Sequence, residues 1–111
     1  MTDKLLGLLG LAYRGRRIDI GTEPVLRAVQ GGKAALVLLA SDAGESITRQ
    51  LSVTAKVPVL RSSYDKQTLG SAFGRGTCAV LAVCDGRLAS EISARLESYN
   101  SMEVALFGKH S

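Results

Sequence analysis

Leu5, Leu8, Leu9 and Ala12 recur at the i, i+3, i+4, i+7 spacing of one helix face, and Gly15 stops the run. Thr2 or Asp3 is in place to cap this first helix. Ile18-Asp19-Ile20 then alternates apolar and polar, the pattern of a short strand. Gly21 permits backbone angles closed to other residues, Thr22 is placed to cap, Glu23 suits a positive helix start, and Pro24 is tolerated in a first turn. A second helix is therefore expected from here, with Val25, Ala28 and Val29 inward and Gly31-Gly32 as its stop. Residues 34–40 are apolar throughout, which marks a strand covered on both faces. Such a strand requires helices on both sides of its sheet.

The same logic repeats downstream. The turn at 41–44 leads into a helix over 45–54 with Ile47 and Leu51 as core contacts, then a short strand over 57–60 that Pro58 places at an edge or a strand start. Asp65 is a good cap for a fourth helix running to about Phe73, with Tyr64 and Leu69 spaced as a hydrophobic staple. After a basic loop at 74–77 comes an apolar strand bounded by Cys78 and Cys84, and Asp85 can cap a last helix whose inward positions are Leu88, Ile92, Leu96 and Tyr99. Asn100 is expected to end that helix. The alternation predicts a three-layer α/β/α sandwich around a mixed sheet of about four strands. We expect a single domain over 1–100 and a tail over 101–111, docked or forming a short edge strand through Val104, Leu106 and Phe107.

Composition agrees with one ordinary folded domain: 111 residues, 46% hydrophobic and 22% charged, are enough for a core without staples. Two cysteines six positions apart in a strand lie ~20 Å from each other, far outside disulfide reach, so they read as small core side chains of a reducing, cytoplasmic setting. The leucine-rich N-terminus has the outline of a signal peptide, but Asp3 weakens its positive leader and no small-residue cleavage site follows. No apolar stretch is long enough to span a membrane.

The chemistry left open is narrow. The only histidine, His110, stands at the C-terminus, which argues against a histidine-based triad, and with two cysteines there is no zinc quartet. Gly31-Gly32-Lys33 follows a helix and precedes a strand, the reverse of a phosphate loop, with Arg27 at the leading glycine and Ala34 at the magnesium-binding hydroxyl. Asp42 and Asp85 follow core strands, where α/β enzymes place catalytic groups, yet both are more simply caps or turn formers. A net charge of +4 and the close run of Arg14, Arg16 and Arg17 favour an acidic partner such as RNA. The helix start at Gly21-Thr22 offers unpaired N–H groups, and with Arg16, Arg17 and Arg27 it is expected to form an anion site.

The run GTEPVLRAVQGGKAALVLLASDA from position 21, together with LGSAFG from position 69, resembles the L-seven-Ae superfamily of kink-turn-binding ribosomal proteins. The opening LLGLAYR and the strand CAVLAV look most like its bacterial YlxQ-type branch. This resemblance implies an α/β/α sandwich, no catalysis, no cofactor, no small-molecule substrate, and RNA bound at the start of the second helix and the loop before the final strand. The family motif there is G-x-N-E-x-x-K. Gly21 matches the glycine and Arg27 the lysine, while Glu23 stands at the Asn and Pro24 at the Glu. Proline cannot accept the guanine hydrogen bonds that the family's glutamate takes, so binding through phosphate and shape is expected. The expected RNA-binding residues are Arg16, Arg17, Gly21, Thr22, Glu23, Arg27, Lys33, Lys66, Arg75, Gly76 and Thr77. The alternative is a protein-interaction module of the same fold that has lost kink-turn recognition.

Overall fold

The structure, a computed structural model, describes the backbone of residues 4–107 and the side chains of residues 4–96. In chain order the elements are α1 (Lys4–Arg14), β1 (Ile18–Ile20), α2 (Thr22–Gln30), β2 (Leu36–Leu39), α3 (Glu45–Thr54), β3 (Val59–Arg61), α4 (Lys66–Ala72), β4 (Val80–Val83) and α5 (Gly86–Phe107). The strands form one mixed sheet in the order β1-β4-β2-β3. β4 is antiparallel to both neighbours, while β2 and β3 run parallel.

Every residue of β2 and β4 is buried, as the uninterrupted apolar runs require of strands covered on both faces. One face is filled by Leu5 and Leu9 of α1, Leu69 of α4 and Ile92 of α5 against Leu36, Leu38, Leu81 and Val83. The other is filled by Val25 and Ala28 of α2 and Leu51 of α3 against Val37, Leu39, Val80 and Ala82. The period-2 alternation of the strands therefore sorts their side chains between two separate cores. Ile18 and Ile20 face the first core, so Asp19 points to the side that carries α2.

Three expectations change. Thr22 does not cap α2: Gly21 occupies the cap position with φ of 103°, and no side chain closes this helix start. The 57–60 strand shifts to Val59–Arg61, with the Pro58 carbonyl accepting from the Val37 N–H at 2.9 Å. α5 does not end at Asn100 but runs to Phe107, so the expected edge strand is helical that far. Met102, Glu103, Ala105 and Leu106 are strong helix formers, and their summed preference carries the helix past the asparagine. Thr2, Asp3 and His110, and the side chain of Tyr99, lie outside the described residues.

Candidate functional site

β1 is only three residues long, so its two ends stand for the two ends of the sheet. At one end, the Gly21 N–H donates to the Val80 carbonyl at 3.0 Å, which ties the α2 start to the beginning of β4. The Ala40 N–H donates to the Ala79 carbonyl at 2.9 Å, so the end of β2 arrives at the same place. Asp42 then accepts from the Lys66 N–H at 2.8 Å, and Asp65 accepts from the Thr68 N–H at 2.7 Å. Two carboxylates thus cap α4, one of them from 24 residues upstream. The Thr68 N–H, the largest influence on Asp65, lowers its pKa below the ordinary carboxylate value.

The 74–77 loop is drawn in beside this helix. The Arg75 N–H donates to the Gly70 carbonyl at 2.9 Å and the Cys78 N–H to the Lys66 carbonyl at 2.9 Å. A Cβ at Gly70 would lie 2.7 Å from the Thr77 Cα, so a glycine is required for the loop to come this close. Gly21, Thr22, Lys66, Arg75, Gly76 and Thr77 therefore share one end of the sheet. The uncapped α2 start leaves the Thr22 and Glu23 N–H groups without an intrahelical partner, and Pro24 has none to leave.

Arg27 sits five residues further along α2, ~7.5 Å up its axis. Its guanidinium is 3.6 Å from Glu23, and both side chains are more than two-thirds exposed. So exposed a pair holds its arginine weakly, which leaves Arg27 free to turn to a phosphate. Pro24, Arg27 and Ala28 of α2, with Asp19 of β1 and Lys33, line an open hollow of about 210 Å³.

Arg16 and Arg17 do not join the α2 start. They precede β1, and four residues of extended chain place Arg17 ~13 Å from Gly21. The Arg17 carbonyl accepts from the Cys84 N–H at 2.8 Å, and its guanidinium pairs with Asp85 at 2.5 Å, at the far end of β4. Arg16 adopts a φ of 63° in the turn that closes α1, where the Arg16 N–H donates to the Tyr13 carbonyl and the Arg17 N–H to that of Ala12. Glycine usually takes this position. Lys33 also belongs to the far end, its N–H bonded to the Ala28 carbonyl behind the α2 stop.

Asp85 caps α5 by accepting from the Arg87 and Leu88 N–H groups at 2.9 and 3.1 Å. The Leu88 N–H is the main reason its pKa falls; desolvation opposes it, and the Arg87 N–H and the Arg17 guanidinium add to the lowering. Burial pushes the Cys78 thiol up to about 11. The Cys84 thiol is likewise raised to about 11, by burial first and then by the Asp19 carboxylate. Both sulfurs are free and protonated at neutral pH, so neither is an activated nucleophile.

Cations that are neighbours in sequence are divided between the two ends of the sheet. No local pattern announces that Arg17 meets Asp85, 68 residues away, or that Asp42 reaches the start of α4. Arg14 and Arg87, absent from the expected set, stand with Arg16 and Arg17 at the far end.

Comparison with known proteins places this architecture. The chain is 32% identical over 94 residues to the RNA-binding protein YlxQ of Bacillus subtilis (strain 168), covering 81% of this chain and 92% of that one. A solved structure of a protein of unknown function from Bacillus halodurans C superposes with a TM-score of 0.81 at 35% identity, covering 86% of this chain and 99% of that chain. The Giardia lamblia 15.5 kD RNA-binding protein superposes with a TM-score of 0.71 at 25% identity over 88% of this chain and 92% of its own. Residues 3–92 match the family described as ribosomal protein L7Ae/L30e/S12e/Gadd45, and with a YlxQ protein 32% identical over most of its length the chain belongs to that family, as a YlxQ-type member.

Proposed function

We propose that the protein is a non-enzymatic, cytoplasmic RNA-binding protein that seats structured RNA, ribosomal RNA included, against the start of α2 and the 74–77 loop. The observation that carries this reading is the uncapped α2 start, where the Thr22 and Glu23 N–H groups stand on the same sheet end as Lys66 and the docked loop. Phosphate oxygens accept from such groups and are favoured by the positive end of the helix. Arg27 supplies the cation, and its loose pairing with Glu23 yields to a phosphate. Relatives that carry RNA-binding names support the same conclusion.

Pro24 and Glu23 replace the groups that read sheared base pairs in kink-turn binders, so recognition rests on backbone and shape. The protein-interaction alternative places a partner on the faces or on the apolar tail, whose side chains lie outside the described residues. Leu11 and Val53 are the large exposed apolar side chains among the described residues, and they stand singly on helices covering opposite faces of the sheet.

Titration with a kink-turn RNA and with an unkinked duplex of equal length tests the proposal. Binding to both, with less than tenfold preference, is expected, and Arg27→Glu should lower the salt slope by about one unit. Absence of binding to either RNA at low salt refutes the function; an unchanged slope refutes the site.

A further inference from the structure

The two ends of the sheet differ in charge. Around the α2 start, Glu23, Asp42 and Asp65 offset Arg27, Lys66 and Arg75, which leaves one further cation, the exposed Arg61, donating to the Ala40 and Ser41 carbonyls at 3.1 Å. At the far end, Arg14, Arg16, Arg17, Lys33 and Arg87 outnumber the nearby carboxylates Asp19, Asp85 and Glu91 among the described residues. All five cations are exposed, and of these five only Arg17 lies within ion-pair distance of a carboxylate among the described residues. Among the described residues the larger positive excess thus lies away from the α2 start.

These cations converge because β4 ends among them. Arg17 is bonded through its carbonyl to Cys84 and through its guanidinium to Asp85, Arg87 donates its N–H to Asp85, and the field of Lys33 reaches the Cys84 thiol. Arg16 adds a second kind of observation. It holds a left-handed conformation that disfavours any side chain, at a helix end where glycine would relieve the strain, yet the chain presents a guanidinium there. The two ends are also joined on the surface, because Arg27 and Lys33 line the same open hollow on the α2 and β1 edge.

We propose that Arg14, Arg16, Arg17, Lys33 and Arg87 form a second phosphate-binding surface, which holds the RNA backbone beyond the segment seated at the α2 start. The RNA strand leaves the helix start, passes Arg27 and the hollow, and is gripped again ~13 Å away, on the order of four nucleotide steps of a duplex strand. Because the contacts are to phosphate alone, the surface adds affinity and register without reading sequence. This surface rests on the RNA-binding proposal, and the test separates the two.

Two RNAs are needed: a short hairpin that ends at the first site, and the same hairpin with its stem extended by a further helical turn. The wild-type chain should bind the long RNA at least tenfold more tightly than the short one, with a steeper salt dependence. The triple variant Arg14→Glu, Arg16→Glu, Arg87→Glu should lose that advantage and about two units of slope on the long RNA, given roughly 0.7–0.9 per phosphate contact. Its affinity for the short RNA should stay within a few-fold of wild type, and its far-UV circular dichroism and melting should confirm folding. A variant that unfolds is replaced by Arg14→Gln with Arg87→Gln, read by nuclease footprints on the extended stem. Equal wild-type affinity for the two RNAs, or wild-type slopes in the variant, overturns the second surface while leaving the first site standing. Failure of the wild-type chain to bind either RNA overturns both.

Discussion

Gly70 and Gly7 are both helical glycines, and replacing each with alanine should move stability in opposite directions. A Cβ at Gly70 would lie 2.7 and 2.8 Å from the Thr77 Cα and N and 2.9 Å from the Gly76 carbonyl carbon, all backbone atoms. Relief to 3.4 Å requires the loop to withdraw by about 0.7 Å at the closest point. Overpacking of this kind costs roughly 1–3 kcal/mol, and the better helix propensity of alanine returns about 0.8–1. The net loss for Gly70→Ala is therefore about 0–2 kcal/mol, up to several degrees in the Tm of a domain this size. At Gly7 a new Cβ meets nothing within 4 Å, so Gly7→Ala keeps the whole propensity gain and should raise Tm by roughly 3–5 °C. Thermal melts by circular dichroism read both. If the loop gives way instead of the helix, Gly70→Ala should melt near wild type but lose RNA affinity, since Arg75 hangs from the Gly70 carbonyl. A Gly70→Ala protein as stable as Gly7→Ala, with unaltered RNA binding, would refute the close packing of loop on helix.

Two further outcomes are expected. Arg16→Gly removes a side chain from a left-handed position at φ 63° and should stabilise the fold by about 0.5–1 kcal/mol in urea denaturation, while weakening binding to the extended RNA. Asp65 and Asp85 have folded pKa values below their ordinary 3.8, so the stability they contribute is present above that value and is lost as pH falls through the lower folded values. Melting followed from pH 6 to pH 2 should accordingly fall less steeply in Asp65→Asn and Asp85→Asn than in wild type.

Much of the fold is local information. The 3.6-residue recurrence of Leu5, Leu9 and Ala12 and the unbroken apolar runs leading into β2 and β4 needed no distant partner to be read, and Asp65 and Asp85 cap the helices that follow them. The site was less legible for a geometric reason. Arg16, Arg17 and Gly21 are close in sequence, but an extended strand converts that nearness into separation, whereas a helix would have kept them together. Thr22 failed as a cap because Gly21, at φ 103°, already makes the turn into α2. α5 passes Asn100 because the helix formers beyond it outweigh one asparagine.

β4 lies between β1 and β2 and is antiparallel to each, with all four of its residues buried. A strand so held neither stretches nor swings, and it joins the docking point beside Gly21 to the one beside Arg17. It acts as a calliper of set opening, so an RNA that engages both jaws is selected by the distance between its own phosphates and not by any accommodation of the protein.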